Sequence, residues 1–170
     1  MNDNNKTNYE ILKDIRTVQE ANNFCSEIDN ILENFYKLKN KNLDELLSSS
    51  TENSTSSIIK KILSDNKIPS SDFASCEKIL SQLKDWIKKM KVIKITLAID
   101  PSSEVISHIS DWINQNLETN TLIDIDKDES ILGGAVLSIN GNYKDFSLKK
   151  TLEDVFARKK NELIKNIYPK

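Results

Sequence analysis

Histidine, arginine and cysteine are all scarce in this chain, and each scarcity removes a class of function. A single histidine, His108, stands among 170 residues. With only two cysteines, far apart, a zinc site would need carboxylates at spacings the sequence does not offer. A catalytic triad needs a base aimed at a nucleophile. His108 falls inside a helical segment, on the side away from Ile106 and Ile113, and reads as a solvent-facing or boundary residue. Arg16 and Arg158 are the only arginines among 24 basic residues, and the formal net charge is −2. That balance argues against a nucleic-acid partner, which would want a guanidinium-rich face. Cys25 and Cys76 each fall on an apolar helical stripe and read as buried reduced thiols; the alternatives, one long-range disulfide or a lone reactive cysteine, have little support from an isolated pair without a secretory signal. Long apolar runs are missing too. None approaches the ~18 residues of a membrane span. The opening MNDNNKTNYE lacks the apolar core of a secretory signal and the arginines of a transit peptide. Without secretion the N-x-T sequons at Asn5 and Asn53 carry no information.

What remains is an ordinary globular composition, 38% apolar and 29% charged. A chain of this length forms one domain or two small ones, and a single compact domain would bury roughly 70% of its unfolded surface. Phe24, Ile28, Ile31, Phe35 and Leu38 recur at steps of four and three, one stripe of an amphipathic helix. Phe73, Cys76, Leu80, Leu83, Ile87 and Met90 form a second stripe behind the start signal Pro69-Ser70-Ser71-Asp72. Two narrow seams predict helices packed on each other. Shorter apolar groups lie at Tyr9 to Val18, Leu43 to Leu47 and Ile58 to Leu63. The serine-rich run SSSTENSTSS, residues 48–57, separates the last two and reads as a loop, since it has no apolar residue to offset ~1–2 kcal/mol per residue of ordering.

After Met90 the texture changes, and the domain boundary falls here, giving residues 1–90 and 91–170. KVIKITLAID has the β-branched look of a strand. Asp100-Pro101-Ser102-Ser103-Glu104 then starts a helix in which Val105, Ile106, Ile109, Trp112, Ile113 and Leu117 predict a wide buried face. Strands follow at Thr121 to Ile125 and Ala135 to Ile139. A final helix begins near Ser147 and carries Leu148, Leu152, Val155, Phe156, Leu163 and Ile167, its stripe interrupted by Lys159 and Lys160. The fold class is therefore α+β: an N-terminal helical bundle followed by a small β-α-β-β-α domain.

All three glycines, Gly133, Gly134 and Gly141, lie in DIDKDESILGGAVLSINGNYKDFSL. Asp124, Asp126 and Asp128 match the first oxygen positions of a calcium loop. Glu129 nevertheless stands where that loop needs glycine, and Ala135 where it needs a bidentate glutamate. A phosphate cradle would lead into a helix, whereas Gly133-Gly134 leads into the strand AVLSI. Backbone geometry is what the glycines can supply: positive φ or close approach at Gly133-Gly134, and a hairpin turn with a short following strand at Asn140-Gly141. The acidic residues in front read as a solvated strand end.

The ordered set Asp128 to Gly134, an apolar strand, Gly141, Asp145-Phe146-Ser147 and Leu148 to Leu152 resembles the C-terminal signature of the ATP synthase delta subunit, the mitochondrial oligomycin sensitivity-conferring protein. Leu132, Ser138 and Asn142 depart from the family's usual isoleucine, basic residue and aspartate, while Asp145 and Ser147 fit. The likeness is strongest over residues 91–158. Family members usually carry a six-helix N-terminal bundle, for which this chain has fewer residues and the interruption at 48–57.

The resemblance implies a non-catalytic connector with no cofactor, metal, nucleic acid or small-molecule substrate. Its partners would be the alpha subunits of the catalytic head and the b subunits of the peripheral stalk. It would sit at the cytoplasmic face of a bacterial inner membrane, or on the stromal side of a thylakoid membrane, held there through the complex. Gly133, Gly134, Gly141, Asp145 and Ser147 would form the structural motif. Phe24, Ile28, Ile31, Phe35, Leu152, Val155 and Phe156 would offer apolar faces to partners. Two other classes stand beside this reading. A small α+β nucleic-acid module shares the element order but lacks strand aromatics for base stacking, and a generic helical adaptor would use the glycines only as turns.

Overall fold

The protein is described by a computed structural model covering residues 14–37, 43, 46–47, 53–117, 119–139 and 141–167. It divides into two compact units, Met1–Lys91 and Val92–Lys170.

In the first unit, helix α1 (Val18–Lys37) opens on a reciprocal cap. The amide of Glu20 donates to Thr17 Oγ1 (3.1 Å), and the Thr17 amide donates back to Glu20 Oε2 (2.9 Å). Helix α2 spans Asn53–Asp65 and helix α3 spans Phe73–Lys89. Asp72 caps α3 by accepting from the Ser75 amide, as the Pro69 to Asp72 signal predicts. The apolar stripes of α1 and α3 face each other in an antiparallel pair. Phe73 lies 4.6 Å from the Phe35 ring and 4.9 Å from Tyr36, Tyr36 donates to Glu77, and Lys84 pairs with Asp29. Leu43, Leu46, Leu47, Ile59 and Ile62 complete a core of fully buried side chains.

The serine-rich run departs from its expected loop. Asn53 already opens α2, so residues 53–57 are helical, while 48–52 lie outside the described residues. Serine, threonine and asparagine suit a first helical turn, where their oxygens meet orphan amides. Thr55 is buried there, and Ile59, Ile62 and Leu63 supply the apolar face that holds the helix down. Lys67, at φ 54°, closes α2 in the left-handed region, with Ile68 N donating to Leu63 O at 2.9 Å.

The second unit is a four-stranded mixed sheet in the order β2-β1-β3-β4, built from β1 (Lys91–Leu97), β2 (Thr121–Lys127), β3 (Ala135–Ile139) and β4 (Asn142–Asp145). Helix α4 (Ser103–Asn116), capped by Ser102, crosses between β1 and β2. Helix α5 (Leu148–Ile167) ends the chain's described part. Ile93, Ile95, Ile113 and Ile123 form the buried centre, with Leu97, Ile109, Ile125, Ala135, Leu137 and Ile139 packed around it.

One helix covers one face of this small sheet, and the consequence is visible on α4. Ile113 is buried and Ile106 and Ile109 are partly so, but Val105, Trp112 and Leu117 are exposed. The wide buried face expected from the sequence is therefore narrow. The apolar residues span more of the helix circumference than a single sheet contact can cover.

Candidate functional site

The glycine segment proves to be one mechanical unit. β3 and β4 form an antiparallel hairpin in which Val136 faces Asp145, Ser138 faces Tyr143 and Ile139 faces Asn142. Extending that register by two more pairs sets Ala135 opposite Phe146 and Gly134 opposite Ser147. The chain therefore returns, through the hairpin, to the place it left, and the distant parts of the signature meet. Phe146 N donates to Ala135 O (2.9 Å), and Leu148 N donates to Gly133 O (3.0 Å).

Gly133 and Gly134 have φ of 70° and 83°, so both occupy the region where a side chain costs roughly 1–2 kcal/mol. Gly134 is constrained a second way. A Cβ built there would lie 2.4 Å from the Phe146 carbonyl oxygen and 3.0 Å from Ser147 Cα. Gly133 has room for one, with its nearest neighbour Leu148 Cβ at 3.8 Å. Gly141, at φ 79°, closes the hairpin in open space, so only its conformation matters.

The other half of the clamp is a helix start. Asp145 Oδ1 accepts from the Ser147 amide (2.8 Å), Ser147 Oγ accepts from the Lys150 amide (3.2 Å), and Thr151 Oγ1 donates to Ser147 O (3.1 Å). Ser147 is buried by these contacts. Hydrogen bonds from the Ser147 side chain and then its backbone hold the Asp145 carboxyl below the usual range, helped by Lys150 and Lys149. The Asp-x-Ser pattern thus caps α5 while Gly-Gly sets where α5 leaves the sheet.

The acidic run in front is structured as well. Asp126 pairs with Lys94 at 2.7 Å across β2 and β1, and Lys127 pairs with Glu129 at 3.0 Å and Asp100 at 3.2 Å. Asp128 accepts from the Ser130 amide at 2.9 Å, an Asx turn that lowers its own pKa through hydrogen bonds from the Ser130 side chain and backbone. Among the described residues no group of three or more histidine, cysteine or acidic side chains is placed to hold a metal ion, and no helix is long and apolar enough to cross a membrane.

The residues expected to face partners separate sharply. Phe24, Ile28, Ile31 and Phe35 are buried in the first unit's own core, so this stripe holds α1 to its neighbours and is not an open docking face. Leu152, Val155 and Phe156 are exposed, Phe156 to 67%. Residues 148–160 are exposed throughout, on both faces of α5. Leu148 extends that stripe by one turn, and Leu132 and Phe146 add exposed apolar surface at the clamp. Phe146 carries no helical or strand period of its own, so only its place beside the cap could have marked it. Cys76 is buried, and its thiol donates to Pro69 O at 3.6 Å; Cys25, on the stripe's margin, is only half-buried. Burial nevertheless pushes the Cys25 thiol up, against the lowering influence of Lys84 and Lys88.

No curated protein matches the chain. The family model described as ATP synthase delta (OSCP) subunit matches residues 2–158, covering the helical unit as well as the clamp. The chain therefore belongs to the ATP synthase delta (OSCP) subunit family, structural subunits of the peripheral stalk of F-type ATP synthases.

Proposed function

We propose that this chain is the connector of the peripheral stalk, tying the catalytic head to the stalk's b subunits and holding the head still against rotor torque. Its helical unit grips N-terminal segments of the alpha subunits, and its C-terminal unit holds the ends of the b helices. The work is mechanical: binding resists load, and no bond is made or broken, so neither cofactor nor small-molecule substrate is required. The protein acts at the cytoplasmic face of a bacterial inner membrane, or on the stromal side of a thylakoid membrane, as part of the complex.

The observation that carries this reading is the uncovered apolar stripe of α5, Leu148, Leu152, Val155 and Phe156, at steps of four, three and one. A helix with no tertiary cover is marginal in water, and a partner helix laid along the stripe supplies the missing burial. The Gly133-Gly134 and Asp145-Ser147 clamp fixes the direction in which that helix leaves the sheet, as a load-bearing contact requires. Isothermal titration of the chain with b-subunit tails and with alpha N-terminal segments of the same organism tests it. Micromolar or tighter binding to both is expected, with Phe156→Ala weakening only the b interaction. Absence of binding to either partner removes the proposal.

A further inference from the structure

A second uncovered surface lies on α4. Val105 and Trp112 are 44% and 50% exposed and, with His108 between them, fall on one line of the helix at steps of three and four. Glu104 and Asp111, seven positions apart, form the adjacent line. Glu104 and Asp111 are exposed, and neither enters an ion pair among the described residues. Ser103–Asn116 contains no lysine or arginine at all. The surface is therefore an apolar strip ending in a tryptophan, on a helix whose only formal charges are acidic, about two helical turns or ~11 Å long.

We infer that this strip docks a basic amphipathic helix of a partner protein. The length suits anchors at i, i+3 or i+4, and i+7 of such a helix. Tryptophan is the residue type that most often concentrates binding energy, since its large rigid ring gains burial at little entropic cost, and its face attracts lysine and arginine. Glu104 and Asp111 lie on the same side of the strip, so they select the partner's charge and its orientation. An acidic or uncharged helix leaves both carboxylates unmatched.

The two indole N–H signals of the 15N-labelled full chain, from Trp86 and Trp112, report on this directly, with Trp112→Phe assigning them. The probes are an 18-residue Leu/Lys amphipathic peptide and its Leu/Glu counterpart. The Leu/Lys peptide is expected to shift the Trp112 signal saturably and leave Trp86 in place, and the Leu/Glu peptide to do nothing. Glu104→Gln with Asp111→Asn, which leaves the fold intact because both side chains are exposed, should weaken binding about tenfold. Equal response to both peptides, binding unchanged in the double variant, or a Trp112 signal that moves with protein concentration alone would each overturn the inference, the last by assigning the strip to a second copy of the chain. Binding of b-subunit tails through Phe156 is measured separately, so loss of the stalk reading and loss of this one are told apart.

Discussion

Helices α1 and α5 are both 20 residues long and both carry an apolar stripe at steps of three and four, yet they meet opposite fates. On α1, Phe24, Ile28, Ile31 and Phe35 are buried, closed over by α3 and its neighbours. On α5, every residue from 148 to 160 is exposed. Period tells which face of a helix is apolar and says nothing of what lies against it. In the first unit the chain itself supplies the facing surface. In the second, one helix already covers the sheet's core face, and residues 148–160 of α5 are left uncovered.

That contrast can be broken from the α1 side with the largest effect. Ile31→Ala should cost about 2–5 kcal/mol, because Ile31 is fully buried and its loss leaves a cavity. The loss should appear in the denaturant midpoint read from Trp86 in the first unit, with Trp112 in the second unaffected.

Gly134→Val comes next, at about 2–4 kcal/mol, combining the left-handed φ with a clash against the Phe146 carbonyl. Here the Trp112 transition should move and Trp86 should not. Gly133→Ala, with room for its Cβ but the same φ sign, should cost about 1–2 kcal/mol. An unchanged midpoint in Gly134→Val would mean that the hairpin does not close on the clamp.

The cap of α5 is weaker still. Ser147→Ala should cost about 1 kcal/mol and reduce helical circular dichroism. The Asp145 pKa is lowered in the folded state, so its contribution is present above its unfolded pKa of about 3.9 and is lost as pH falls through the lower folded value. Acidification below about pH 4 should therefore destabilise the second unit in the wild type, and Asp145→Asn should flatten that part of the profile.

Phe156→Ala sharpens the comparison by its smallness. On the isolated chain it should change stability by less than about 0.5 kcal/mol, as for any exposed side chain without tertiary cover. The same substitution is the one that should weaken b binding. A large stability loss would show that α5 packs within its own unit.

Much of this architecture was legible beforehand. Asp72 and Ser102 begin their helices where the caps predict, because a cap is a local hydrogen bond between residues three apart. Gly141 lies between two strands that pair, as the Asn-Gly signal predicts, since a short loop fixes register by itself; Asn140 is outside the described residues. Harder to read was the serine-rich run, where Ile59 and Ile62 draw residues 53–57 into α2 from beyond the segment. On α4 the sequence offered Val105, Trp112 and Leu117 as core, and the sheet proved too small to cover them.

The sequence alone determined the helical periods, the caps, the places where only glycine serves and the family to which their order belongs, because each depends on residues near one another in the chain. Tertiary structure alone decided that Gly134 meets Ser147 through the returning hairpin, that the α1 stripe is core and that the α5 stripe is surface. Burial is settled by what stands opposite, and what stands opposite a residue is set by the packing of distant segments.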